Sequence, residues 1–213
     1  MKASTTTLFL AIFSISFFIC SCNEPKKDIV VQDVNDTVSS KDTTQTIFWK
    51  ELSNLYGNAY RGSIVSAPAN DTAFSGKELV MHVRMCEDST IKIPFFVGED
   101  SSRTWVFTLL SDGIILKHDH RHNDGTPEDL TMYGGKSSNF GSALRQIFPA
   151  DQETADILPG AITNVWWIDL VPGEHFTYNL RRVNTDRLFS VRFDLTEKIL
   201  VPGKPWGWDL KID

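Results

Sequence analysis

Three of the five histidines fall at every second position of one run, Ile114-Ile115-Leu116-Lys117-His118-Asp119-His120-Arg121-His122. Alternate side chains of a β-strand share a face. Ile114, Leu116, His118, His120 and His122 therefore form one row, and Ile115, Lys117, Asp119 and Arg121 form the other. The first row starts apolar and ends in imidazoles. With the aliphatics turned inward, the imidazoles line the end of a core or the mouth of a cavity, where they could hold a small molecule or a metal ion.

The metal reading has a geometric limit. Residues two apart on a strand are about 6.7 Å apart and residues four apart about 13 Å, whereas zinc needs Zn–N contacts of about 2.0–2.1 Å. A zinc site would thus use His118 with His120, or His120 with His122, plus a ligand from elsewhere: His82, His175, Asp119, Glu128 or Asp129. No H-E-x-x-H or paired C-x-x-C motif is present. The competing reading is that these histidines and Asp119 make ordinary cross-strand hydrogen bonds near a barrel rim.

A second run, Leu79-Val80-Met81-His82-Val83-Arg84-Met85-Cys86, leaves its parity open. If Leu79, Met81, Val83 and Met85 face the core, His82 and Arg84 are solvated. If the lumen is polar, His82 and Arg84 join the His118–His122 row around an anionic ligand, and Arg84 offers a planar fork to a carboxylate or phosphate. Cys86 is four residues from His82, too far for direct activation, so it reads as an inert thiol rather than a nucleophile. The acidic turn Asp124–Asp129 lacks the ligand spacing of a calcium loop. Gly134, Gly135 and Gly141 lack the strand-to-helix context of a phosphate loop, so close backbone approach or a bend explains them better. No Ser/His/Asp set is recognisable.

These residues need a scaffold. Phe48, Leu52, Leu55 and Tyr56 recur at helical spacing up to Gly57, giving one short helix. From Ala59 onward short alternating runs separated by turn residues predict strands near 60–66, 78–87, 90–97, 103–110, 114–122, 130–134, 144–148, 164–170, 175–182 and 187–195. One further helix is expected near 151–158, with Asp151 as its cap. The fold class is therefore all-β: an antiparallel up-and-down barrel of about 10 strands with two short helices. Closure follows because an open meander of that length leaves two unpaired edges. The proline-containing tail Val201–Trp208 cannot be a central strand, and Trp206 and Trp208 are expected to cover an end of the barrel.

The formal charge of −6, with no Lys/Arg run, argues against nucleic acid as a partner. Lys2 followed by the apolar run Leu8–Ile19 reads as a signal peptide over residues 1–21, too short for a stable membrane span. Ile19-Cys20-Ser21-Cys22 resembles a bacterial lipobox, which makes Cys22 the lipidated residue and the lipid the membrane anchor; the alternative is an ordinary signal peptide without lipid. With Cys22 lipidated, Cys86 has no partner and no disulfide framework exists. Residues 22–46 lack aromatics and periodicity and read as a flexible tether with a mean reach of about 25 Å; the barrel domain is placed at 47–213. Asn23-Glu24 lacks the aspartate that retains many lipoproteins on the inner membrane, which points outward within the cell envelope.

In plan, one helix leading through Leu55-Tyr56-Gly57-Asn58-Ala59-Tyr60-Arg61-Gly62 into hairpin-ordered strands resembles the calycin barrels: lipocalins, fatty-acid-binding proteins and nitrobindins. The Gly-x-Trp-x-Gly-x-Gly form of nitrobindin is absent, so haem binding is not carried over. The stretches Val80–Arg84, Arg103–Val106, Leu116–His122, Thr131–Gly135 and Phe148–Asp151 resemble an uncharacterised family of bacterial secreted proteins and lipoproteins, which implies location and domain limits but no mechanism. Three functions follow as expectations. The first is a lipid-anchored barrel binding a small molecule through His118, His120, His122, His82 and Arg84, without catalysis. The second is a metal-binding protein or metal-dependent hydrolase using His118 and His120. The third is an envelope interaction protein using Trp166, Trp167, Trp206 and Trp208.

Overall fold

A computed structural model describes residues 43–208. The signal peptide, Cys22, the tether up to residue 42 and the last five positions lie outside the described residues. Helix α1 (Thr44–Ser53) is capped by Thr43, whose hydroxyl accepts the Thr46 N–H at 3.2 Å. It starts before the Phe48 expected from apolar spacing. The extra turn is held by Gln45, which is buried and donates to Ser137 Oγ at 2.9 Å and to the Asn139 carbonyl at 3.1 Å. Such a tertiary anchor leaves no mark in apolar periodicity.

Eleven antiparallel strands follow: β1 (Ala59–Ser66), β2 (Leu79–His82), β3 (Met85–Cys86), β4 (Thr90–Val97), β5 (Asp100–Leu110), β6 (Gly113–His120), β7 (Tyr133–Lys136), β8 (Arg145–Pro149), β9 (Asn164–Val171), β10 (His175–Arg182) and β11 (Leu188–Asp194). Helix α2 (Gln152–Ile157) and a 3-10 turn (Pro159–Ala161) connect β8 to β9. The expected strand at 78–87 is broken at Val83-Arg84 into β2 and β3, and the one expected at 130–134 sits at β7.

Sheet order is β7-β6-β5-β4-β2-β1-β11-β10-β9-β8, with β3 paired to β4 alone. The first and last strands pair, Gly62 opposite Phe193, so the meander curls back on itself. Its two ends, β7 and β8, approach without a regular ladder. Ser138 N–H donates to the Ile147 carbonyl at 3.3 Å and Asp151 N–H to the Gly134 carbonyl at 3.1 Å. The buried Thr154 hydroxyl of α2 donates to the Gly134 carbonyl at 2.7 Å and accepts its N–H at 2.6 Å. A side chain thus stands in for a missing strand partner at the seam of a nearly closed barrel, which blunts the exposed edges.

Alternation fills the interior. Strand β9 reads buried and half-buried in strict succession, and Ile114, Leu116, Phe107, Ile168, Val191 and Phe193 are each fully buried in one core. A smaller cluster of Ala59, Val80 and Phe96 lies on the outer wall, packed against Ile199. That wall receives the tail: Ile199 N–H donates to the Ala59 carbonyl at 3.0 Å and Trp206 N–H to the Ser101 carbonyl at 3.1 Å. The Arg84 guanidinium and the Lys92 ammonium stand 5.5 and 5.8 Å from the Trp208 ring. The tryptophan tail therefore lies along the outside rather than over an end, because cations on the outward faces of β2–β4 attract its ring. Among the described residues no helix is long and apolar enough to cross a membrane.

Candidate functional site: an aromatic cavity at the open end of the barrel

Helix α1 packs where β6 and β8 begin, with Gln45 bonded near Ser137 and Gln146. The opposite end, where β4, β6 and β10 finish, holds a cavity of about 390 Å³. That size is within the usual range for small-molecule sites, about 300–1,000 Å³.

Three strands send rows into it that start apolar and end polar. Ile114 and Leu116 of β6, Phe107 of β5 and Phe176 of β10 lie in the core, and the same rows continue into the cavity lining as His118 and His120, Trp105 and Arg103, and Tyr178, Leu180 and Arg182. Phe95, Trp105 and Tyr178 stack in a ladder, with centroids 4.9 and 4.6 Å apart and ring planes within 16°. Tyr133 lies flat on His118 at 4.8 Å, and Trp166 leans on both. Above them Phe74, from the segment joining β1 to β2, packs on Phe189 at 4.4 Å and beneath the Arg103 guanidinium. Asp71 holds that turn by accepting the Ser75 N–H at 2.8 Å and the Phe74 N–H at 3.2 Å.

The imidazoles are neutral and already bonded. His118 Nδ1 lies 3.0 Å from the Tyr133 carbonyl, which can only accept, so Nδ1 carries the hydrogen. Nε2 is then the acceptor for the Tyr178 hydroxyl at 2.8 Å. Burial pushes the His118 pKa down to about 3. Burial, and then the nearby Arg103, push His120 down to about 4, and its Nε2 lies 3.0 Å from the Tyr133 hydroxyl. Burial raises Tyr133 to about 12 and Tyr178 well above its usual value. Desolvation thus drives each of these groups toward its uncharged form.

The residues singled out from sequence divide. His118 and His120 line the cavity. His122 does not: β6 ends at His120, and His122 is exposed in the following turn, its N–H donating to the Thr126 carbonyl at 2.8 Å. His82 and Arg84 are also outside it. Met81 and Val83 face the core, which turns His82 to the outer wall. It is not solvated there, since it is 5% exposed and its Nδ1 has no partner among the described residues. Arg84 lies under Trp208 instead of reaching the lumen. The break at Val83-Arg84 reverses parity, so Cys86 packs against the core and the His82–Cys86 pairing dissolves. No cluster of three or more His, Cys, Asp or Glu side chains able to hold a metal ion occurs among the described residues. Trp166 is buried inside the barrel, so it is not available to a protein partner.

Sequence reading missed Trp105, Tyr133, Tyr178, Arg103, Arg182 and Arg187 as cavity residues. The rule that found His118 would have found several of them, since Phe107-Trp105-Arg103 and Phe176-Tyr178-Leu180-Arg182 are also apolar rows with polar ends. Comparison with protein-family models, curated proteins and solved structures gave no match. The site is therefore read from its own geometry.

Proposed function

We propose that this chain is a lipid-anchored cell-envelope protein whose barrel binds a small molecule at its open end without acting on it chemically. The observation that carries the binding half is the aromatic cavity of about 390 Å³ around Trp105, Tyr178 and His118. Its polar floor atoms satisfy one another, so an apolar body can enter without stranding them. The same bonding favours a binding role over metal-assisted hydrolysis, because both His118 nitrogens are engaged. The anchoring half rests on Ile19-Cys20-Ser21-Cys22 behind an apolar run.

Each half has its own test. Titrating the neutral dye N-phenyl-1-naphthylamine into the protein should give saturable binding of one molecule. Leu180→Trp, which fills the cavity, should weaken it about tenfold or more, since roughly 1.4 kcal/mol of lost contact suffices. Undiminished dye binding in a folded Leu180→Trp protein would exclude this cavity. For the anchor, expression in a bacterial host should put the protein in the membrane fraction with an acylated N-terminus by intact mass, and Cys22→Ala should release it. An unmodified chain in the soluble fraction would refute the lipid.

A further inference from the structure

The cavity has a polarity that its neutral floor does not explain. Arg182 on β10 and Arg187, the residue before β11, lie directly opposite each other: the Arg182 N–H donates to the Arg187 carbonyl at 3.1 Å, and the adjoining register pairs Arg181 with Leu188. Side chains opposite each other on an antiparallel pair share a face, and like charges so placed repel. Both line the cavity. Arg182 donates through Nε to the neutral Asn164 Oδ1 at 2.9 Å, and the Arg187 side chain has no ion-pair or hydrogen-bond partner among the described residues. The third rim arginine, Arg103, is already matched by Asp100. Asp71, the acid that lines this mouth, is engaged by the N–H groups of its own turn. In a chain of formal charge −6, two cross-strand arginines at one mouth, neither of them ion-paired among the described residues, can together receive an anion. Two forked donors converging on one anion give charge-assisted, geometrically specific bonds.

Below this pair the wall turns aromatic. Arg182 and Tyr178 are four residues apart on one strand, a span of about 13 Å. The Trp105–Tyr178 ladder ends that span with ring planes 14° apart. These two rings are stacked on each other and leave no slot between them, so together they form an aromatic wall against which a conjugated body can pack. The depth accommodates two fused or linked rings below the acid group.

We infer that the ligand class is a planar organic anion, a two-ring aromatic or conjugated body bearing one carboxylate, sulfonate or phosphate, with the acid bridged by Arg182 and Arg187 and the rings against Trp105 and Tyr178. The inference rests on the binding role proposed above and adds charge and shape to it.

A matched pair of dyes separates the two ideas. 8-Anilinonaphthalene-1-sulfonate carries the same ring body as N-phenyl-1-naphthylamine plus one anionic group. The full chain should bind the sulfonate about tenfold or more tighter than the neutral dye, and the two should compete for one site. Arg187→Gln and Arg182→Gln, at the exposed and half-buried rim, should each remove most of that difference, weakening the sulfonate several-fold more than the neutral dye. Raising salt should weaken the sulfonate alone. Equal affinities that ignore both arginine substitutions and salt would overturn the anion preference and leave the cavity standing. Failure of both dyes to bind the folded protein would instead overturn the binding role itself.

Discussion

Acidification from pH 6.5 to 4.5 is expected to cost the barrel about 4–5 kcal/mol, a large part of the roughly 5–15 kcal/mol that holds a domain together. His118 and His120 are kept neutral in the folded chain, with pKa values near 3 and near 4 against an ordinary 6.5. Below pH 6.5 the unfolded chain takes up these protons and the folded chain does not, so stability falls as pH falls. Each histidine contributes about 1.4 kcal/mol per pH unit until its folded pKa is reached. Above about pH 7.5, where the unfolded histidines are also neutral, the dependence is flat. The charged groups near the pair are Lys117, Arg103, Asp100, Asp119 and Glu128, and burial rather than any one of them is the main cause. His82, also lowered first by burial, acts in the same direction. Urea midpoints read by circular dichroism at fixed ionic strength should therefore fall steeply across this window. His120→Gln, which can still bond the Tyr133 hydroxyl, should make the slope markedly shallower. A midpoint that stays level from pH 6.5 to 4.5 would mean the imidazoles are not desolvated.

Gly135→Ala should be among the most damaging single-methyl additions at the described residues. A Cβ at Gly135 would sit 1.7 Å from the Pro149 carbonyl oxygen. The obstacle is backbone, so β7 and β8 must part. Overpacking a core usually costs about 1–3 kcal/mol; with no side chain to move aside, the loss here should be at least about 3 kcal/mol. For a domain of this size that lowers Tm by roughly 6–12 °C. Parting also strains the Thr154 bonds to Gly134, the principal closure of the seam. Gly160→Ala, whose Cβ meets nothing within 4 Å, should leave Tm within about a degree. Calorimetry on the two variants decides it: equal melting temperatures would show that the strand ends do not meet at Gly135.

Much of this architecture was legible because the relevant forces are local. Hairpin turns such as Ser111-Asp112-Gly113 and Pro172-Gly173 punctuate alternating runs, and β5, β6, β9, β10 and β11 lie within three residues of where those runs predict them. The reading of Gly134 and Gly135 as points of close backbone approach agrees with the Leu116 and Pro149 carbonyl oxygens packed against them. The parity of Ile114, Leu116 and His118 also held, since a strand with two buried aliphatics fixes which way its alternate neighbours point. The failures share a cause. His122 left the row where β6 gave way to a turn, Cys86 changed face at an irregularity in β2–β3, and Trp206 and Trp208 found the wall instead of the end. Each depends on where a strand stops or what it meets later, which a period of two residues does not encode.

The sequence by itself determined the strand rhythm, the antiparallel up-and-down plan and the inward face of β6, because turn chemistry and alternation act over a few residues. Only the tertiary structure decided which polar ends meet. Trp105, Tyr133, Tyr178, Arg182 and Arg187 come from β5, β7, β10 and the turn leading into β11, whose order around the barrel is set by long-range pairing. Their shared cavity, the suppressed charge of His118 and the unneutralised arginine pair exist because closure removes water from one side of them and sets the strands edge to edge.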